Sequence, residues 1–411
     1  MQKNQRWTVM LVLGWFLGCG SLILPVAHAQ KAPEEIKIGC TVPLSGRLAQ
    51  SGVDVQWGYE AAVADVNKEG GLFMKEFNKK LPVKLFMYDD ESDPTKAATR
   101  YERLVMEDKV DVLLGSYSTM INTAVVVVAE KHKIPIVANH FSHELPHRQG
   151  YKYLFSPFVK SNEYANGIDY VVEMAALKKV EKPKTAAIVM NNTEIPKEVA
   201  AYYRKRCAEL GIEVVVNEVY ALGRSDFSPI IMKTKSSKAE IWLSLPTPPE
   251  GLAMLRQMKE LDYNPKIIFM TQANTARGWP GDKGQLGEFT VSLESWGVGL
   301  PFPGNKELVD TYTAKMNHKP GPNIGTGYQA VQVAADAVRR AGTLDKTRIR
   351  DSLAATDMMT ISGPVKFKPD GMPIMENFLF QWINGAHVAI WPKKYPTITD
   401  PVYPQPEWNK R

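Results

Sequence analysis

The chain has 411 residues, 44% of them hydrophobic and 23% charged, with a formal net charge of +6. That balance excludes a disordered tail, a collagen-like fibre and a disulfide-stapled miniprotein, and the length suits about two or three domain-sized units. No basic run interleaved with aromatics occurs, and the charge falls to +4 once Lys3 and Arg6 of the N-terminal leader are set aside, so nucleic acid is not an expected partner.

In chain order, Lys3 and Arg6 open a short positive region. An apolar stretch runs from Val9 to Leu24, and Pro25-Val26-Ala27-His28-Ala29 supplies small residues before Gln30. This is the layout of a secretory signal peptide cut after Ala29, which predicts a periplasmic mature chain. Leu17-Gly18-Cys19 resembles a lipoprotein cleavage box, but apolar residues continue beyond Cys19, so simple export is the expectation. The mature chain keeps Cys40 and Cys207, read as two free buried thiols because they fall in different lobes.

Apolar, β-rich runs then alternate with amphipathic helices. Strands are expected over 36–42, 83–88, 110–114, 134–138, 185–190, 212–220, 239–245, 266–271 and 289–293. Helices are expected over 53–67, 96–109, 119–132, 162–178, 197–210, 249–261, 306–317 and 327–341. Near-continuous Val/Ile/Leu strands interleaved with helices predict an α/β fold of parallel sheets covered on both faces, in two doubly wound lobes. The first lobe is expected to hold 30–157 and 296–362 and the second 158–295 and 363–392, with crossings near 153–158, 295–296 and 362–364. The proline-rich residues 393–411 read as an extended strap. Two such lobes leave a cleft at the carboxyl ends of their strands, where doubly wound sheets bind ligands.

His143-Glu144-Leu145-Pro146-His147 matches the pattern H-E-x-x-H letter for letter. A secreted zinc hydrolase is therefore the enzyme alternative, with His143 and His147 as ligands and Glu144 polarising the bound water. Pro146 lies inside the turn that would align the two histidines, and no third ligand follows at a familiar spacing, so no metal and no cofactor are expected. Nucleophile elbows and phosphate loops are absent from the sequence. Asp89, Asp90, Glu91 and Asp93 read as a strand end feeding a helix that starts at Pro94.

What remains at the strand ends is hydroxyl-rich and aromatic. Arg47, Ala49 and Gln50 follow the first strand; Tyr117, Ser118 and Thr119 follow the third; Asn139, His140, Phe141 and Ser142 follow the fourth. Free amides at a helix start beside Ser and Thr hydroxyls suit a carboxylate.

The segments IKIGCTVPLSGRLAQSG, DDESDPTKAATRYERLV, VDVLLGSYST, IPIVANHFSHEL, RSDFSPIIMKTKSSKAEIWL, LRQMKELDYNPKIIFMTQ and ISGPVKFKPDGM span nearly the whole mature chain. In that order they resemble the branched-chain amino acid (Leu/Ile/Val) binding family of periplasmic solute-binding proteins of ABC importers. The resemblance implies a type I Venus-flytrap fold with three hinge crossovers, one small ligand between the lobes, a membrane permease as partner and no catalysis. The same fold also serves ligand-sensing modules of receptors. A monomer is the default for a freely diffusing carrier.

The resemblance assigns the ligand's carboxylate to Ser118, Thr119 and either Phe141 or Ser142, and the side-chain end to Arg47, Ala49 and Gln50. In the second lobe it implies an aromatic residue after the strand 239–245 and an ammonium-pairing acid after the strand 266–271. Here those stretches read Pro246-Thr247-Pro248-Pro249 and Thr271-Gln272-Ala273-Asn274, with neither group present. Thr247, Gln272 and Asn274 are left as second-lobe candidates, joined by Asn192 and by Glu194, a substitute acid at an ill-fitting spacing. Tyr117, Phe141 and Trp296 add aromatic surface, and Arg47 and His140 add positive or proton-donating groups. A buried ammonium without a carboxylate is costly, so the expected ligand tilts from a branched-chain amino acid toward an aromatic or other amine-free organic acid.

Overall fold

The computed structural model describes residues 32–276, 279 and 286–411. The leader expected over 1–29, its cut after Ala29 and Cys19 lie outside them. Residues Glu34–Arg411 form one compact unit.

In chain order the first elements are β1 (Ile36–Val42), α1 (Ala49–Lys68), the hairpin β2 (Leu72–Met74) and β3 (Lys79–Leu81), β4 (Val83–Asp89), α2 (Pro94–Met106), β5 (Val112–Leu114), α3 (Thr119–Lys131), β6 (Ile136–Val137), α4 (Leu145–Arg148) and β7 (Leu154–Phe155). The chain then builds α5 (Asn166–Leu177), β8 (Thr185–Asn191), α6 (Glu194–Glu209), β9 (Glu213–Tyr220), α7 (Ser228–Ser236), β10 (Ile241–Ser244), α8 (Pro248–Glu260), β11 (Ile267–Met270) and β12 (Val291–Glu294). Last come α9 (Asn305–Met316), α10 (Pro322–Ala341), α11 (Lys346–Ala354), β13 (Asp357–Thr360), β14 (Gly363–Phe367), β15 (Pro373–Ile374), β16 (Phe378–Ile383) and β17 (Ala386–Trp391).

One sheet has the order β4-β1-β5-β6-β7, with every pairing parallel. The other runs β9-β8-β10-β11-β12 in parallel and is extended by β16 and β17 in antiparallel pairing. Setting the small hairpin aside, both parallel blocks follow one doubly wound order, with the second strand outside the first and the rest on its other side. The winding reverses between β1 and β5 and between β8 and β10, the switch points where such sheets open a crevice beyond their carboxyl ends.

Burial explains the near-continuous apolar runs. Along β8, Ala186, Ile188 and Met190 enter one core while Ala187 and Val189 enter another on the opposite face. Helices cover both faces, so alternation between apolar and polar residues is lost. The first sheet is likewise buried, with Ile38, Leu113 and Ile136 packed against Val55, Tyr59 and Val333 of α1 and α10.

The chain passes from the first sheet to the second after β7, returns after β12, and crosses a third time between β15 and β16. The third crossing therefore falls near 375–377 rather than at 362–364, which moves 363–374 out of the second lobe expected to hold 363–392 and leaves β16 and β17 in it. The reason is packing: Val365 and Phe367 of β14 join the first core, and the Phe367 ring lies 5.3 Å from that of Phe155. A small apolar cluster of Trp296, Ile324, Ile361, Phe378 and Phe380 sits where the later crossings meet. Residues 393–411 are tied to the second sheet at two points: Val402 exchanges two hydrogen bonds with the Gln381 amide at 2.9 and 3.0 Å, and the Gln405 N–H donates to Lys266 O at 2.9 Å. No helix among the described residues is long and apolar enough to cross a membrane.

Two expectations follow. Cys40 and Cys207 are free and buried, and burial raises both thiol pKa values, that of Cys207 to about 12. The folded mature chain should therefore show no thiol titratable with Ellman's reagent until it is unfolded, when two appear. Gly325 lies beneath Trp296, where a Cβ would come within 1.8 Å of the indole. Gly325→Ala should lower stability by about 1–3 kcal/mol through overpacking, read as a lower urea midpoint.

Candidate functional site

The carboxyl ends of both sheets face one cavity of about 400 Å³. The first-lobe wall comes from Arg47 and Leu48 after β1, Tyr117–Met120 at the start of α3, and His140 and Ser142 after β6. Asn191–Pro196 at the start of α6, Leu245 and Thr247 after β10, Thr271, Gln272 and Thr275 after β11, and Glu294 at the end of β12 supply the second. Phe158 and Tyr164 of the first crossing and Asn323 of α10 close the base.

The loop after β5 is fixed by Asn122, whose Oδ1 accepts from Ser116 N–H at 2.8 Å and whose Nδ2 donates to Ser116 O and Asn139 O, both at 2.8 Å. Ser118 then takes the N-cap position of α3 in an extended conformation but makes no side-chain cap bond. Its hydroxyl is left on the cavity wall beside first-turn amides that have no partner within the helix. Thr119 is used differently. Its hydroxyl donates to His140 O at 3.1 Å and accepts from Ser142 N–H at 3.0 Å, fastening one strand-end loop to the next.

His140 is buried and neutral. Asn139 Nδ2 donates to its Nδ1 at 3.0 Å, and its Nε2–H faces Asn323 Oδ1 at 3.1 Å and Thr326 Oγ1 at 2.8 Å. Loss of hydration on burial lowers its pKa to about 3. The expectation that His140 offers a positive or proton-donating group is thus corrected: the ring is a neutral structural link whose proton is already committed. The Tyr117 ring stands edge-on to it at 4.9 Å, and the Phe158 ring tilts against it at 5.1 Å.

Ten of the sequence-predicted residues line the cavity: Arg47, Tyr117, Ser118, Thr119, His140, Ser142, Asn192, Glu194, Thr247 and Gln272. Six do not. Ala49 and Gln50 belong to the first turn of α1, which starts earlier than the periodicity indicates. Asn139 turns inward to the Tyr59 hydroxyl and His140. Phe141 is buried against His147 at 6.0 Å, with the Lys160 ammonium 5.1 Å from its ring, leaving Ser142 rather than Phe141 on the wall. Asn274 is fully buried under Trp382, whose Nε1–H reaches its backbone carbonyl at 2.8 Å. Trp296 packs over Gly325 in the crossing cluster.

The H-E-x-x-H segment is occupied by other bonds. Pro146 sits in the first turn of the four-residue helix α4, with His143 outside it, so the two histidines do not share a helical face. His147 Nδ1–H donates to Asp370 O at 2.8 Å and its Nε2 faces Lys160 Nζ at 3.2 Å, while Glu144 pairs with Arg148. No group of three metal-binding side chains occurs among the described residues. The acidic run near Asp90 is structural as well: Asp90 accepts from Thr41 and Ser116 at 2.7 and 2.6 Å, and Asp93 caps α2.

Among the cavity residues that sequence reasoning missed, Glu294 carries the charge-bearing group. It is 3% exposed, its Oε1 has no hydrogen-bond partner, and burial raises its pKa to about 8. The second lobe therefore does present an acid to the cavity, one strand beyond the position inspected. Thr271 Oγ1, also on the wall, is a second buried polar atom without a partner. Glu194 is exposed at the start of α6 and is poorly placed to desolvate a ligand charge. A free hydroxyl and helix amides on one side, aromatic walls, and an unpaired buried carboxyl on the other can enclose a small polar solute; among the described residues lining it, no nucleophile–base pair is formed.

A model of the periplasmic binding protein family matches residues 35–386. The leucine-, isoleucine-, valine-, threonine- and alanine-binding protein of Pseudomonas aeruginosa is 25% identical over 88% of this chain and 93% of its own length. Among solved structures, a leucine-binding protein of Thermotoga maritima superposes with a TM-score of 0.75 at 21% identity, covering 86% of this chain and 97% of that one. A solute-binding protein of an ABC transporter from R. palustris, in complex with benzoate, superposes with a TM-score of 0.72 at 19% identity over 87% and 95% of the two chains. With the matched region running from the first strand into the last, the chain belongs to the periplasmic binding protein family.

Proposed function

We propose that this chain is the exported solute-binding component of an ABC importer, cut after Ala29, and that it carries a small carboxylate between its lobes to a membrane permease. Its family and fold are those of transport components, not enzymes. The observation that carries the carboxylate assignment is Ser118, an N-cap residue whose side chain caps nothing and instead borders the cavity at the start of a 13-residue helix. Helix amides with the positive end of the dipole stabilise an anion there, and the hydroxyl adds a charge-assisted hydrogen bond.

Leu48, Met120, Phe158, Ile195 and Leu245 give the rest of the wall an apolar character suited to a branched or aromatic side chain. The volume is within the range of small-molecule sites. Relatives named for leucine, isoleucine and valine binding and a structural neighbour holding benzoate support both side-chain types. Ligand bound to both walls favours hinge closure, and the closed form is the one a permease distinguishes.

Protein unfolded and refolded to strip carried solute should be stabilised by about 2.7 kcal/mol at 100 times the dissociation constant of its ligand, in a thermal-shift panel of apolar amino acids and aromatic acids. Ser118→Ala should weaken that ligand about tenfold to a hundredfold, with the ligand-free melting temperature unchanged. An unaltered affinity would remove the carboxylate assignment. Zinc should neither shift the melting curve nor co-purify stoichiometrically; metal at one ion per chain would restore the hydrolase reading.

A further inference from the structure

Each of the three crossings places a polar group against another crossing. Val159 N–H, in the first, donates to Ser295 Oγ at the start of the second, at 3.2 Å. The Ser295 hydroxyl donates in turn to Asn377 Oδ1 of the third at 3.3 Å. Asn377 Nδ2–H returns to the first crossing, donating to Glu163 Oε2 at 3.2 Å, and the same oxygen accepts from Lys160 N–H at 2.7 Å. Because Val159 and Lys160 are chain neighbours, these four hydrogen bonds close a ring through all three connections. Val159, Lys160, Ser295 and Asn377 are buried.

The ring answers a backbone need that neither sheet meets. A connecting segment stands outside the ladders, so its buried N–H groups require acceptors from elsewhere. The acceptor of Val159 N–H belongs to the second crossing, and the hydroxyl that accepts is itself fixed by the third. These bonds therefore hold at one relative setting of the three segments. The ring also borders both cavity walls. Ser295 directly follows Glu294 of the second-lobe wall. On the first-lobe side, Ser161 donates to Ser142 O through its N–H at 3.0 Å and its hydroxyl at 2.9 Å, and Lys160 Nζ donates to Phe141 O at 2.7 Å. The first crossing thus grips the loop that carries Ser142 to the wall.

We propose that Ser295 and Asn377 are positioning residues of the hinge: the ring they complete holds the lobes in the arrangement where both walls meet around one cavity, and so sets how often the ligand-free chain presents a complete site. Neither is among the described residues that line the cavity, so both act through the crossings. The proposal rests on the reading of the cavity as a solute site between two lobes and deepens it by naming what governs the resting state of that site.

The consequence is a population shift, because apparent affinity is the intrinsic affinity multiplied by the share of molecules in the competent arrangement. Ser295→Ala deletes the acceptor of Val159 N–H and the donor to Asn377 at once. The buried amide left behind regains a partner only when the crossings shift and admit water. Asn377→Asp keeps the shape and the acceptor for Ser295, but it deletes the donor to Glu163 and sets a second carboxyl against the first. Both substitutions penalise the arrangement seen here and spare every group on the cavity wall. A solute that binds this arrangement preferentially draws the lobes back to it at saturation.

Spin labels on Met106→Cys in α2 and Met232→Cys in α7, exposed positions on separate lobes, report the interlobe distance by pulsed electron paramagnetic resonance; Cys40 and Cys207 are buried and stay unlabelled. Leucine and benzoate serve as probes, titrated by calorimetry into the refolded full chain. The expected result for ligand-free Ser295→Ala and Asn377→Asp is a distance distribution broader than the parent's. Saturating probe should restore the parent's distribution, and affinity for the probe that the parent binds should fall about threefold to tenfold. Ser295→Ala removes a single oxygen and decides alone if Asn377→Asp fails to fold. Ligand-free distributions identical to the parent's would overturn the hinge role, whatever the probes do. Binding of neither probe by the parent would instead count against the solute reading, and the ligand-free distributions would still decide whether the ring sets the lobes.

Discussion

A buried imidazole holds the cavity together. His140 must satisfy two ring nitrogens without water, and it does so by accepting from Asn139 and donating toward Asn323 and Thr326 at the start of α10. Asn323 in turn donates to Thr275 O at 3.1 Å in the second lobe. A chain of neutral hydrogen bonds thus runs from the end of β6, through α10, to the loop after β11. Thr119 joins the same unit from the other side, and the first crossing adds Lys160 Nζ on Phe141 O at 2.7 Å and Ser161 on Ser142 O at 3.0 Å. Loss of hydration on burial, which lowers the His140 pKa to about 3, keeps the ring in the neutral form that these bonds use. Because the fold consumes the polar groups around it, the few that remain unpaired stand out as those available to a solute.

Those few are distributed between the lobes in a way that matches hinge chemistry. Ser118 and the α3 amides belong to the first lobe, while Glu294 and Thr271 belong to the second. Under the proposed function, a solute that bridges the two walls would supply the differential free energy for closure that an equal interaction with open and closed forms would not. Three crossings join the lobes, and the cluster around Trp296 and Phe378 packs beside the later ones.

Most of the architecture was legible in the sequence, because strands buried on both faces announce themselves as apolar runs of fixed length. Ile36–Val42 and Thr185–Asn191 fall within a residue of the expected bounds. β6, expected over 134–138, pairs at only Ile136 and Val137, and the two-residue β7 and β15 and the antiparallel β16 and β17 were not read, since two paired residues carry no periodicity. The site followed the same rule. Residues next to well-marked strand ends, such as Ser118 and Gln272, were found on the cavity wall. Glu294 was missed because the expected strand stopped at 293, and Asn323 because the expected helix began at 327, five residues after α10 starts at Pro322. Phe141 and Trp296 show the opposite limit: an aromatic beside a strand end carries no sign of which way its ring turns, and both rings turned into packed interiors.

The most direct measurement is a crystal structure of the refolded protein with the tightest ligand from the binding panel. The account predicts that ligand enclosed in the cavity between the lobes, with one carboxylate oxygen at about hydrogen-bonding distance, near 3 Å, from Ser118 Oγ and from a first-turn amide of α3. A carboxylate lying elsewhere, with the Ser118 hydroxyl still unengaged, would contradict it.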